Sequence, residues 1–456
     1  MTLYQLPGTY RAEQLLAQRV ALLKVAPACL PPILVDKALV WAQERAGFAF
    51  DPAQAQAIAM ALSHKLSILT GGPGTGKTTI LRALVAVLKA KKVSVTLAAP
   101  TGRAAQRMGE ATGHFAQTIH RLLKYEATQN SFFYNEDHPL KTDFIIIDEA
   151  SMLDTRIASA LFRAIPDTAH VLLVGDIHQL PSVGPGQVLA DLLHSGHFAV
   201  CTLAKVFRQQ HISGIVTTAH HILEGKAHPP SIVQQLDQIN PKFDLHFLAL
   251  PSPEHCLEAV VSLCAQYLPQ WYPRYTQLMD VQVLCPMHKG VAGVGAVNQA
   301  LQKQLNPRAA GIAAGAYTFG VGDKVIQLRN NYDKNIFNGD LGVVAAVNAE
   351  AQTVAIRFDD TLVELDKADL SDLALAYAIS IHKSQGSEFP IVIVPLLKQH
   401  FMMLQRNLLY TAITRGRKKV FIIGQPSAYA MAVRNQEHLA RLTDLRPKLQ
   451  ACIDGA

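Results

Sequence analysis

Eight consecutive residues, Gly71-Gly72-Pro73-Gly74-Thr75-Gly76-Lys77-Thr78, fit the pattern GxxxxGK[ST]. Glycines let a backbone curl with its N–H groups inward, and a following helix adds the partial positive charge of its N-terminus. Lys77 adds a full charge, so Gly72 to Thr79 reads as a cradle for the β and γ phosphates of ATP, with the Thr78 hydroxyl placed for Mg²⁺. Hydrolysis also needs acids. Phe144-Ile145-Ile146-Ile147-Asp148-Glu149 delivers two at the end of an apolar run, Asp148 to hold Mg²⁺ through water and Glu149 to polarise the attacking water. Alone, this run would equally suit a strand ending in a solvated acidic turn. Upstream, Asp51-Pro52 makes a good helix start and Gln54 projects from its first turn. An amide can pair with both the donor and the acceptor of an adenine edge, and an exposed helix glutamine is the plain alternative.

These residues require a sheet to carry them. Strand-like runs at Leu66 to Thr70, Val93 to Ala98, Phe144 to Ile147 and Val171 to Val174 alternate with helical stretches, the pattern of a mostly parallel sheet covered by helices. After Arg208 a polar connection leads to a second set at Val281 to Cys285, Ala376 to Ile381, Ile391 to Val394 and Val420 to Ile423, which implies a second α/β lobe. Within it, Asp323 to Leu328, Leu341 to Val347 and Thr353 to Phe358 surround the turn signals Asn338-Gly339-Asp340 and Asp359-Asp360, so a small β-barrel is expected there. Ahead of lobe one, Arg11 to Lys24 and Ile33 to Arg45 have helical periodicity, broken by Pro27, Pro31 and Pro32. The expected order is a helical segment 1–47, lobe one over 48–200 and lobe two over 201–456, with the barrel near 317–371. Residues 123–141 interrupt lobe one and carry Tyr125, Phe132, Phe133 and Tyr134, either as a strand-splitting pin or as a loop packed on the lobe.

At 456 residues the chain has room for about three units at roughly 150 residues each. It is 49% hydrophobic and 17% charged, which excludes a disordered or low-complexity chain. The net charge of +7 tolerates a polyanionic partner without requiring one. Six scattered cysteines with no CxxC pair argue against a disulfide framework or a zinc ribbon and fit a reducing compartment. His220-His221 reads as a polar helix pair and not as a metal site. With no apolar run long enough to cross a bilayer, a cytoplasmic protein without membrane association is expected.

Further blocks narrow the class. Ala99-Pro100-Thr101-Gly102-Arg103, Thr118-Ile119-His120-Arg121 and Gly175-Asp176-Ile177-His178-Gln179-Leu180-Pro181-Ser182-Val183-Gly184 follow strands of lobe one. Val206-Phe207-Arg208-Gln209, Ser380-Ile381-His382-Lys383-Ser384-Gln385-Gly386 and Tyr410-Thr411-Ala412-Ile413-Thr414-Arg415 follow later. From Phe48 to Gly424 this succession resembles the superfamily 1 helicases, and its wording is similar to the RecD family, the 5′→3′ branch. The resemblance implies two RecA-like lobes that close on one ATP with Mg²⁺. It implies that Gln179 senses the γ-phosphate, that Arg208 and Arg415 reach it from lobe two, and that Thr101, His120, Ser182, His382 and Ser384 lie along single-stranded DNA. The segment around Asn331 and Asn338 is similar to the family's small barrel, which holds the strand. Gly416 stands where alanine is usual, a change expected to act mainly on helix propensity.

The resulting expectation is an ATP-dependent 5′→3′ translocase and helicase on single-stranded and tailed duplex DNA, in repair or recombination. Two alternatives stand beside it: an ATP-switched single-strand-binding protein that does not unwind, and the motor subunit of a larger complex whose nuclease comes from a protein partner.

Overall fold

The computed structural model describes residues 5–126, 129–205, 213–307, 311–331, 333–436 and 441–455. By its internal contacts the chain divides into two units, Met1–Gln210 with Ala440–Ala456, and His211–Leu439.

Unit one is built on a six-stranded parallel sheet in the order Ala116–Thr118, Val95–Ala99, Phe144–Ile147, His170–Gly175, Leu66–Gly71, Ala199–Leu203. Its central strands are buried at every position because both faces are covered, and they are apolar but for Ser67, Thr70 and His170. Side chains alternate: Ile145, Ile147, Val171 and Leu173 enter one core, whereas Phe144, Ile146, Leu172 and Val174 enter the other. Helices Pro7–Val25 and Leu445–Asp454 contribute Leu16, Val20, Leu445 and Leu449 to the first core. Helices Val35–Ala46, Pro52–Ser63 and Lys77–Ala90 contribute Ala42, Ile58 and Leu84 to the second. Residues 1–47, expected as a preface, thus supply one helix to each face. The terminal helix, expected with lobe two, closes a core of unit one; buried Glu13 pairs with Lys448 at 3.0 Å to fix it there.

Unit two also has a six-stranded parallel sheet. Its parallel sheet runs Ala378–Ser380, Val281–Cys285, Phe389–Leu396, Gly416–Gly424, Leu245–Ala249, Ile232–Val233. Between Val281–Cys285 and Ala378–Ser380 the chain detours into a five-stranded antiparallel sheet ordered Thr361–Leu365, Thr353–Phe358, Leu341–Asn348, Lys324–Gln327, Leu373–Leu375. A hairpin, Gly311–Ala314 with Tyr317–Gly320, precedes it. This insertion shares one apolar cluster with the parallel sheet, in which Val325, Ile356 and Leu375 join Val281, Val283 and Ile391. Its root is polar and buried. The Lys324 Nζ donates to Val281 O and Gln282 Oε1 at 3.1 and 2.9 Å, and Asp323 accepts from the Tyr377 hydroxyl at 2.8 Å and the Asn306 amide at 2.8 Å.

Gly416 corrects a sequence expectation. Helix Arg406–Thr414 has already ended there, and Gly416 opens the strand Gly416–Gly424 opposite Phe389. A Cβ at this position would lie 2.3 Å from Val420 Cγ2 and 3.1 Å from Lys419 O, so space and not helix propensity selects glycine. Gly416→Ala should therefore cost about 1–3 kcal/mol by overpacking. Thermal melting of Gly416→Ala, alone and combined with Val420→Ala, measures this; the cost should shrink when Val420 is cut back, and an additive double variant would refute the steric cause.

Candidate nucleotide and nucleic-acid site

The phosphate loop leaves the carboxyl end of the buried strand Leu66–Gly71 and enters helix Lys77–Ala90. Gly74 and Gly76 take φ of 73° and 88°, the left-handed region that lets the backbone turn back on itself without a Cβ clash. The buried Thr75 hydroxyl donates to Gly72 O at 2.8 Å and locks the curl. Lys77 Nζ donates to the carbonyls of Gly71 and Gly72, the latter at 2.8 Å, so the ammonium lies over the loop it is to serve. Thr78 is exposed in the first helical turn.

The acidic pair ends the strand Phe144–Ile147, two places away in the same sheet. Burial, and then the adjacent Glu149 charge, push Asp148 up to about 6, against the pull of Arg107 and Lys77. Arg107, on helix Gly102–Thr112, was not marked by any sequence pattern. Asp148 Oδ1 accepts from the Glu149 N–H at 2.8 Å, and Glu149 itself sits at φ 51°, ψ 39°. A non-glycine residue in this left-handed region is uncommon and is held by its surroundings, here the short turn Ala150–Met152 that follows. Two adjoining carboxylates at a sheet end, one disfavoured in its charged form, form a site that a cation relieves. The residues present fit Mg²⁺.

Gln54 is buried and not exposed: its Oε1 accepts from the Asp51 N–H at 3.2 Å in a capping box at the start of Pro52–Ser63. Asp51 also pairs with Lys205 at 2.7 Å, which holds its carboxyl below the usual range. Gln179 follows strand His170–Gly175 and is buried, its amide 3.4 Å from Asp176 Oδ2, while Asp176 Oδ1 accepts from the His178 N–H at 3.0 Å. Thus Lys77, Thr78, Asp148, Glu149 and Gln179 all leave the carboxyl edge of one parallel sheet, where open α/β sheets bind ligands.

The residues expected along a nucleic-acid strand divide in two. Thr101 caps helix Gly102–Thr112 by accepting from the Ala104 N–H, and the His120 ring lies 5.8 Å from both Tyr125, edge-on, and Phe132, tilted, with its pKa lowered by burial. His382 lies half-buried on the turn Ile381–Ser384, its pKa lowered by burial and then by His288. Ser182 and Ser384 differ from expectation. Both are buried, and their hydroxyls donate inward to backbone carbonyls, Ser182 to Gly184 O at 3.0 Å and Ser384 to Ile381 O at 2.7 Å. Their side chains shape loops and do not face outward to a strand. Asn331 uses its amide on Asp369 Oδ1 at 3.1 Å inside the insertion, while the neighbouring Asn338 accepts from Lys383 Nζ at 3.1 Å. Arg415 is buried at the end of helix Arg406–Thr414 and donates to Ser387 O at 3.2 Å. Arg208 lies outside the described residues.

In 123–141, Tyr125–Glu126 pairs with Ser131–Phe132 as a short antiparallel hairpin. Phe132 and Tyr134 pack on the core of unit one, and Phe133 is exposed with Lys124 Nζ 5.1 Å from its ring centre. Among the described residues no helix is long and apolar enough to cross a membrane, and no His/Cys/Asp/Glu cluster of three or more could hold a metal.

A phosphate loop and an acidic strand end on one parallel sheet define a phosphate-loop nucleotide-binding protein, here with a second parallel-sheet unit. Over 449 residues it is 36% identical to the ATP-dependent RecD2 DNA helicase of Deinococcus radiodurans, covering 98% of this chain and 58% of that protein. It is 31% identical over 427 residues to the RecBCD enzyme subunit RecD of Mycolicibacterium smegmatis, covering 87% of this chain and 74% of that protein. The chain belongs to the RecD family. Three family descriptions match parts of it: an AAA domain over 54–185, an ATP-dependent RecD-like DNA helicase SH3 domain over 297–358, and a UvrD-like helicase C-terminal domain over 375–423. Its fold is similar to that of a Pif1 helicase from Bacteroides in complex with ADP-AlF3 and ssDNA, with TM-score 0.50 and 20% identity over 87% of this chain and 93% of that one. A structure of Pif1 helicases at forked duplex DNA gives TM-score 0.51 and 21% identity over 82% and 92% of the two chains.

Proposed function

We propose that the chain is an ATP-dependent 5′→3′ translocase and helicase on single-stranded DNA, serving DNA repair or recombination in the cytoplasm. The observation that carries this reading is the meeting of Lys77, Asp148 and Glu149 at one sheet edge, where the Lys77 charge already acts on Asp148. Family membership supplies the substrate class and the direction. The Deinococcus relative, of which this chain spans 58%, is named as an ATP-dependent DNA helicase.

The backbone N–H groups of Gly72 to Thr79 and the Lys77 ammonium would bind the β and γ phosphates, and Gln54 would meet the adenine. Thr78 and Asp148 would hold Mg²⁺, which when bound offsets phosphate charge. Glu149 takes the proton of the attacking water. Gln179, Arg208 and Arg415 would respond to the γ-phosphate, so that each lobe, RecA-like in this reading, changes with nucleotide state. Thr101, His120 and His382 would touch the strand directly, with Ser182 and Ser384 shaping the loops. The antiparallel insertion would curl into a small barrel that holds the strand through the Asn331 to Asp340 region, a reading supported by the SH3-domain match.

Duplexes tailed on either end, assayed for strand displacement beside DNA-stimulated ATP turnover, test the proposal. Unwinding is expected only with a 5′ single-stranded tail; opening of the 3′-tailed duplex alone would overturn the direction. Stimulated turnover without displacement of either duplex would favour the ATP-switched binding protein. The RecBCD subunit relative, 74% covered by this chain, also favours a second reading, a motor subunit that works beside a nuclease partner. Displacement that appears only with a purified partner would select it.

A further inference from the structure

One feature of unit one has no counterpart among the motifs. Arg441, from the segment leading to the terminal helix, is enclosed by a loop 255 to 259 positions earlier in the chain. Its Nη1 donates to Gly184 O at 2.7 Å, to Gly186 O at 2.8 Å and to the Ser182 hydroxyl at 3.2 Å, and its Nη2 donates to Ser182 O at 2.6 Å. Three carbonyls of five consecutive residues thus converge on one guanidinium, and without it their dipoles would oppose one another. The same loop is fixed on its other side: Pro185 O accepts from the Thr155 N–H at 2.9 Å, and a Cβ on Gly184 or Gly186 would strike Asp154 or Thr155. It begins three residues after Gln179, contains Ser182, and carries Val183 at 86% exposure on its tip.

We infer that Arg441 is a positioning residue for nucleic-acid-dependent ATP turnover, holding the Ser182–Gly186 loop in the shape that meets the single strand. This rests on the proposed function. A planar fork with several donors suits a ring of carbonyls; an ammonium brings charge and no fork. The role passes through the loop and not through the phosphates. Arg441 therefore governs how much single strand is needed to stimulate turnover.

The test titrates oligothymidylate against ATP turnover in wild type, Arg441→Ala, Arg441→Lys and Lys448→Ala. Lys448 holds the same C-terminal segment through Glu13 and does not touch the loop, so it reports a merely structural effect. The oligothymidylate concentration for half-maximal stimulation should rise at least tenfold in Arg441→Ala and at least threefold in Arg441→Lys. In Lys448→Ala it should stay within twofold, even with a lowered melting temperature. Should Arg441→Ala not fold, the lysine variant, which keeps the charge and most of the stem, decides. Unchanged stimulation in Arg441→Lys, or an equal shift in Lys448→Ala, overturns the assignment alone. A wild-type protein that single strands do not stimulate overturns the functional reading and the assignment with it.

Discussion

Lys77→Ala and Glu149→Gln are each expected to lower ATP turnover by at least about 10²- to 10³-fold, and to part company in binding. Lys77 opens helix Lys77–Ala90, and its ammonium lies against Gly71 and Gly72 carbonyls, so alanine deletes the one full charge of the cradle. Nucleotide affinity should fall. Glu149→Gln leaves the loop intact and keeps the backbone N–H that Asp148 accepts, because that bond belongs to the main chain. In the proposed reading it removes the proton acceptor for water. It also removes the neighbouring charge that helps raise Asp148, so Asp148 should ionise at lower pH than in the wild type and hold a cation at least as well. Affinity for a fluorescent ATP analogue with Mg²⁺, measured beside steady-state turnover, separates the variants. Near-normal hydrolysis by Glu149→Gln would remove it from the role of base, and undiminished binding by Lys77→Ala would remove Lys77 from the cradle.

The chemistry of unit one was legible because it is local. A glycine-rich run between an apolar strand and a helix leaves the backbone little choice, and Phe144 to Ile147, read as a strand, is one and is buried throughout. The edge strand Ala199–Leu203 was not legible: it mixes buried and exposed positions, and its role depends on pairing with Leu66–Gly71, far away in the chain. Leu245–Ala249 hid for a related reason, since it lies in a polar connection and its buried His246 reads as surface. The inserted sheet showed its turns but not its mounting. Asp323 and Lys324 look like a solvated charge pair, and only the tertiary structure supplies Tyr377, Asn306 and Gln282 to satisfy them in the core. The two serines show the same limit. A motif fixes which residue occurs, whereas the direction of its hydroxyl is settled by carbonyls that the fold brings round.

Arg415→Ala is expected to lower DNA-stimulated ATP turnover by about 10³-fold or more, the effect typical of an arginine that stabilises charge on a transferring phosphoryl group. The structure supplies a competing explanation that magnitude can decide. Arg415 donates to Ser387 O, and its own carbonyl accepts from the Phe389 N–H at 2.9 Å, so it also helps to tie the end of helix Arg406–Thr414 to the strand Phe389–Leu396. Losing this bond from a charged donor costs about 1.5–3 kcal/mol of stability, and the main-chain bond survives substitution. A 10³-fold loss of rate corresponds to about 4 kcal/mol in the barrier, more than the loss of the Ser387 bond explains. Arg415→Lys sharpens the distinction. The ammonium can still donate to Ser387 O and should preserve the melting temperature, but it lacks the planar fork that meets two phosphate oxygens together, so most of the rate should stay lost. Thermal melting and DNA-stimulated turnover measured on both variants give the answer: full turnover in Arg415→Ala would refute the role, and recovery by Arg415→Lys in step with its stability would reduce Arg415 to a structural tie.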